Sequence, residues 1–297
     1  YTAKNPKSYY DNLNYRRTPE LIKEALEALR AKGFDFSTLT RDSSGYVLGL
    51  NTLYAGSPSQ GWSKGLWPHM GSMSTIDFNG IKFRRYQISN IGTSLSIGTF
   101  VHENGHLICK WPDLYDYDGD SKGVGRFCLM ASSGGTNPVP PNPYFRNLMG
   151  WGGVTDLNNY PNNSTISQNA NSLSGYRYSG PYSNEFFMVE NISRKGRWTN
   201  MPGEGLLIWH VDKNGNNNYQ DMTSTRHYLV SVEQADGQFQ MEKNTNSGEK
   251  YDLFYQGHKT QFNSSTVPNS KWWNGSLSGF SLSNVSSIGN PMTFTIQ

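Results

Sequence analysis

The sequence predicts an α+β protein, and three observations carry that prediction. An amphipathic helix with clear start and stop signals lies near the beginning, and a second helical stretch lies near residue 100. Beyond residue 150 short apolar runs alternate with Gly, Asn and Ser turns. The expected division is a lobe of mixed strands and helices over residues 1–153 and a β-rich, sandwich-like half over residues 154–297, packed together as one working unit. With 297 residues, 35% of them apolar, the chain can bury a sizeable core.

The first helix is read in RRTPELIKEALEALRAKGFDFS, where Thr18 suits the cap, Pro19 the first helical position and Gly33 the exit. Leu21, Ile22, Ala25, Leu26 and Leu29 recur at helical spacing, so one face should be buried. GYVLGLNTLYAG (residues 45–56) and GIKFRRYQIS (residues 80–89) read as strands. SPSQGWSKGLWPHMGSMS (residues 57–74), between them, reads as a loop. From about Thr93 to Ile108, Ile97, Phe100, Val101, Leu107 and Ile108 suit a buried helix. Gly98 and Gly105 are poor helix formers, so close packing or a bound metal should compensate for them. Residues 131–143, rich in Pro and Gly, form a loop. NEFFMVEN, GEGLLIWHVD, HYLVSVEQADG, GFSLSNVSS and PMTFTIQ then supply the strands of the second half.

Charge excludes some functions. A net charge of +3 with no block of Lys or Arg leaves no electrostatic footprint for nucleic acid or an anionic membrane. The longest apolar runs, such as Gly205–Trp209, are far too short to span a bilayer. The opening YTAKNPKSYY has neither an initiator Met nor an apolar leader, which fits a processed or excised chain.

Chemistry concentrates in GTFVHENGHLICKWPDLYDYDGD, residues 98–120. On a helix His102 and His106 stand one turn apart and can both reach one Zn²⁺. The neighbouring Glu103 can then act as general base toward water and pass the proton to a leaving amine. The bland reading is two ordinary histidines on a half-buried helix. A structural zinc site would want further thiolates, so an open, catalytic position fits this stretch better. No glutamate occurs between Glu103 and Glu185, which disfavours peptidases whose third ligand is a glutamate on a later helix. The metzincin pattern takes a His or Asp shortly after the motif and a methionine turn below the metal. Asp113 and Met130 meet it.

At these residues the chain resembles the M6 family of secreted metallopeptidases, the immune inhibitor A-like group. The matching positions are His102, Glu103, Gly105, His106, Pro112, Asp113, Tyr115, Asp116, Leu129, Met130 and Ala131. Blocks such as LYAG, LWPH, LMGW, GEGLLIWHVD, VEQADG and YDLF extend the likeness over most of the chain. The resemblance implies a metzincin-like catalytic lobe, a mixed sheet with an active-site helix. It also implies an exported zinc endopeptidase acting on protein or peptide, made as a zymogen whose N-terminal propeptide is removed, and expected as a monomer. Two departures stand out. Cys109 replaces the usual glycine, and the interval from His106 to Asp113 is one residue longer, which keeps Asp116 in reserve as third ligand.

Other signals are weaker. In a secreted protein Cys109 and Cys128 would pair and stabilise the fold by roughly 3 kcal/mol, the alternative being two buried free thiols. Asp116, Asp118 and Asp120 offer enough hard oxygen for Ca²⁺, although the loop lacks the EF-hand pattern and a solvated acidic turn is the bland reading. Asp42 alone remains of an acidic loop that the family often carries upstream. His210 and His227 are candidates for orienting the zinc ligands or meeting substrate, against ordinary structural roles; the same holds for His69. The rival function is a non-catalytic secreted binding or adhesion module, glycan-binding through its many aromatics, with a vestigial zinc site. The intact Glu103 argues against it.

Overall fold

The structure is a computed structural model that describes residues 1–12, 17–92, 96–132, 134–181 and 184–297. It is a mixed α+β protein of three sheets and a few short helices. Two compact units emerge. One comprises Tyr1–Trp111 with Gly134–Thr136, the other Pro112–Ser133 with Asn137–Gln297. The division thus falls at Trp111/Pro112 rather than at 153/154. The reason is that residues 112–132 bond inside the second unit, through Tyr117 N–H to Asn218 O, Lys122 N–H to Met241 O and Arg126 N–H to Ser247 O.

In the first unit α1 (Lys7–Tyr10) precedes α2 (Thr18–Ala31). Leu21, Ile22 and Leu26 of α2 are buried, as the spacing predicts, but Leu29, in the last turn, is exposed. Gly33 takes φ +78° there, and the Phe34 N–H reaches back to Leu29 O, a left-handed exit that a side chain would strain.

Three strands form one sheet: β1 (Asn51–Ala55), β2 (His69–Phe78) and β3 (Ile81–Ile91), in the order β1-β3-β2. β1 runs parallel and β2 antiparallel to β3. The expected loop over residues 57–74 is therefore corrected, since it ends in the first half of β2. Asn79 and Gly80, both at positive φ, make the tight turn that pairs β2 with β3. β1 is also shorter than the twelve-residue stretch read as a strand. α3 (Gly98–Leu107) packs against β3 and β2. Its expected start near Thr93 lies partly outside the described residues, which omit 93–95. Phe36, Phe78, Phe83, Tyr86 and Ile88 fill the core of this unit together with the inner face of α2.

The second unit holds α4 (Pro143–Leu148), whose first turn is capped by the Asn142 side chain, and two sheets. One has the order β4-β6-β7-β8-β9: β4 (Val154–Asp156), β6 (Gly175–Ser179), β7 (Glu185–Ile192), β8 (Gly205–Asp212) and β9 (Val230–Val232). The other has the order β10-β11-β5: β10 (Leu282–Ser283), β11 (Met292–Ile296) and β5 (Thr165–Gln168). Phe187 and Val189 of β7 and Leu206 and Ile208 of β8 share one core with Ile166, Leu282, Met292 and Phe294 of the smaller sheet. Both sheets of this unit thus contribute to one buried layer. Every residue of β7 and β8 is buried, so their polar side chains need partners. Glu190 meets Arg146 at 2.6 Å and Trp209 Nε1 at 2.9 Å.

Candidate metal centre

α3 supplies most of the site. Helical geometry places residues four apart on one face, and His102 and His106 point their Nε2 atoms at each other, 3.2 Å apart, with the rings at right angles. His106 Nδ1 lies 2.6 Å from Trp111 O. A carbonyl can only accept, so Nδ1 carries the proton and Nε2 presents its lone pair. The Trp111 carbonyl is in place because the chain turns sharply after α3, with Lys110 at φ +62° and the Trp111 N–H bonded to Gly105 O. The side chain of Arg85, on β3, donates to His106 O at 3.1 Å and ties the helix end to the sheet.

Glu103, half-buried beside the histidines, accepts the Met70 N–H at 2.7 Å on Oε2. Met70 lies on β2 at the edge of its sheet, so an edge-strand amide orients the carboxylate.

Asp113 is seven residues beyond His106 and buried. One ligand atom from each of His102, His106 and Asp113 lies within 4.8 Å of those of the other two. Two nitrogens at about 2.0–2.1 Å from one tetrahedral ion stand roughly 3.3–3.4 Å apart, so the 3.2 Å between these two is compatible with their sharing one ion. Two imidazoles and a carboxylate also form a donor set that leaves one tetrahedral position open.

The segment bearing Asp113 is well held. Leu114 N–H bonds to Met130 O at 2.8 Å, and the Asn218 side chain donates to Asp113 O and Tyr115 O. Tyr117 Oη donates to the Asp113 carboxylate at 2.5 Å, and Tyr117 is accordingly held above the ordinary phenol range, first by burial and then by that carboxylate. Met130 is fully buried in a tight turn closed by Ala131 and Ser132 N–H groups on Cys128 O.

Asp116, the reserve ligand, goes elsewhere. Its Oδ2 accepts the N–H groups of Gly119 and Asp120, and its carboxylate gathers with those of Asp118 and Asp120 within 4.8 Å. A hydrogen bond to Asp116 raises the pKa of Asp118.

Two expectations need correction. Cys109 and Cys128 are free thiols. Cys128 is fully buried, with Asn142 Nδ2 at 3.6 Å from its sulfur, and burial pushes its thiol up to about 11; burial likewise raises the half-buried Cys109. A sulfur in that state behaves as a small apolar side chain, and the helix exit is fixed by backbone bonds instead. Nor do His210 and His227 have a nitrogen left to orient a zinc ligand. His210 bonds Glu185 through Nε2 at 2.9 Å and Glu233 through Nδ1 at 3.2 Å. His227 bonds Asp212 through Nε2 at 2.8 Å and faces Thr223 O with Nδ1. Both rings stack on Trp273, at centroid distances of 5.3 and 4.8 Å. His69 is similarly occupied, between Trp67 O and Tyr86 Oη.

The His210 clamp makes a testable contribution to stability. Burial pushes its pKa down, but Glu185 and Glu233 together outweigh it and the pKa is raised. A raised folded pKa gives stability that is complete below the unfolded value of about 6.5 and is lost as pH rises through the folded value. His210→Leu, which strands two carboxylates, should cost about 3–5 kcal/mol by urea unfolding near pH 6, and less near pH 9. A penalty indifferent to pH would mean that the imidazole acts by shape alone.

Arg85, Tyr117 and Asn218 join the site through contacts that no motif announces. Only Tyr117 has a signal in the sequence, in the repeated Tyr-Asp of LYDYD. Compared with models of known protein families and with curated proteins, the chain matches none.

Proposed function

We propose that the protein is a zinc-dependent endopeptidase with a metzincin-like catalytic lobe, as its resemblance to the M6 metallopeptidases implies. The observation that carries this reading is the facing pair of Nε2 atoms on His102 and His106, with Glu103 one residue away and fixed by the Met70 N–H. His102, His106 and Asp113 would hold Zn²⁺, and the ion would supply a Lewis acid that polarises a peptide carbonyl and acidifies water. Oriented by the Met70 N–H, the Glu103 carboxylate would take the proton from water and deliver it to the departing amine. The Trp111 carbonyl keeps the His106 ring oriented, and Tyr117 steadies the Asp113 carboxylate.

β2 is an edge strand, and an edge strand can accept an extended chain as an additional strand. Met70 N–H already points out of that edge to Glu103, so a peptide paired along β2 would pass the general base. Substrates should therefore be extended or unfolded segments rather than folded ones.

Export, removal of an N-terminal propeptide, a monomeric state and Ca²⁺ at Asp116, Asp118 and Asp120 belong to the same reading. Among the described residues no helix is long and apolar enough to cross a membrane. Metal analysis of the purified protein tests the reading. About one tightly held zinc per chain is expected, and a protein that stays metal-free after incubation with zinc would remove it.

A further inference from the structure

A cavity of about 640 Å³ opens in the first unit, and its lining includes Asp42, Tyr46, Ser72, Arg84, Arg85 and Lys110. Three cations face one acid. Asp42 is already engaged, because its Oδ1 accepts the N–H groups of Ser44 and Tyr46 to close its own turn. Among the described residues none of the three cations makes a salt bridge. Arg85 donates to His106 O, and Lys110 Nζ donates to Leu107 O at 2.6 Å, so neutral carbonyls position both, and in the lining Asp42 alone offsets part of the charge of three cations. Lys110 is held below the ordinary lysine range, first by burial and then by the Arg85 charge. Like charges kept this close are relieved by an anion.

The location supplies the function. Ser72 pairs with Arg85 across the β2–β3 ladder and stands two residues along β2 from Met70, whose amide holds Glu103. Two residues of strand span about 7 Å, and alternate amides of an antiparallel edge strand point the same way. An extended substrate passing Glu103 would therefore present a side chain to the three cations within about two residues of the bond being cut.

We propose that this cavity is an acid-selective subsite, in which Arg84, Arg85 and Lys110 receive the carboxylate side chain of an Asp or Glu in the substrate. The inference rests on the peptidase reading. Guanidinium groups suit it, because their planar donor fork matches a carboxylate.

The test uses peptides acetylated at the N-terminus and amidated at the C-terminus, so that the only carboxylates are on side chains. Asp or Glu is compared with Asn or Gln at each of three positions either side of the cleaved bond. One position should favour the acid by about tenfold or more, as a charge-assisted contact would, and raised salt should shrink the ratio. Arg84→Glu and Lys110→Glu should each collapse or invert that ratio. Arg85 is left intact because it also braces His106. Cleavage with no acid preference at any position overturns the subsite and leaves the peptidase reading standing. If no peptide is cut, the peptidase reading fails instead. Calorimetric binding of the same peptides to wild type and Arg84→Glu then decides the cavity, and equal binding of acid and amide peptides overturns it.

Discussion

Glu103→Gln should lower the rate of cleavage of an unfolded protein by about 10²–10⁴-fold, with zinc content equal to that of wild type. The expectation follows from the division of labour in α3. The proposed ligand nitrogens belong to the histidines, whereas Glu103 sits between them in sequence and turns its carboxylate to the Met70 amide. Glutamine keeps the size and can still accept that N–H, but it cannot take a proton from water. The loss should therefore appear in kcat, with KM little changed, because the amide still fills the place of the carboxylate. Zinc measured on the same sample separates loss of the base from loss of the metal. A variant that keeps most of its turnover would remove Glu103 as general base.

His102→Ala, His106→Ala and Asp113→Ala should each abolish cleavage by weakening or losing zinc, whereas Asp116→Ala should retain both zinc and most of the activity. The contrast between the two aspartates is the informative part. Asp113 is buried, its ligand atom lies within 4.8 Å of those of both histidines, the Tyr117 hydroxyl donates to its carboxylate, and the Asn218 side chain donates to its backbone carbonyl. Asp116 spends its carboxylate on the Gly119 and Asp120 amides, so its loss should loosen the acidic turn and any response to Ca²⁺. Two neutral imidazoles leave the ion's full +2 charge uncompensated, and a carboxylate offsets part of it. Removing that carboxylate should therefore lower affinity even where both nitrogens remain. Zinc competition against a chromophoric chelator measures the order. If Asp116→Ala loses metal while Asp113→Ala keeps it, the extra residue between His106 and Asp113 has moved the ligand.

Local chemistry was the legible part of this sequence. The spacing of His102 and His106 needs only the period of a helix, and the exit of α2 at Gly33 needs only a residue that tolerates positive φ. The first half of β2 reads as a loop in the sequence for a physical reason. It pairs on one side only, carries Gly71, Ser72 and Ser74, and breaks register between Ser72 and Ile76, so the two-residue alternation that marks a strand is interrupted. The Asn79–Gly80 turn after an apolar residue was the signal that could have found it.

Long-range partners were not legible. Arg85 reaches the carbonyl of His106 only because β3 lies beneath α3, and Asn218 reaches Asp113 across more than a hundred residues. The cysteines mislead for the converse reason. Nearness in sequence says nothing about which way a thiol points, and Cys128 turns toward Asn142 in a fully buried site. His210 and His227 looked available because a sequence does not show that Glu185, Glu233 and Asp212 have already taken their nitrogens.

If His102, His106 and Asp113 hold a zinc ion that makes this chain a peptidase, as we propose, activity should follow the metal. Cleavage of an unfolded protein tests it most directly, followed in one preparation as isolated, after removal of metal by a chelator, and after zinc is restored. Cleavage, its loss, and its return with about one equivalent of zinc per chain are expected. Cleavage that persists in the metal-free protein, or a zinc-replete protein that cuts nothing, would contradict the proposal.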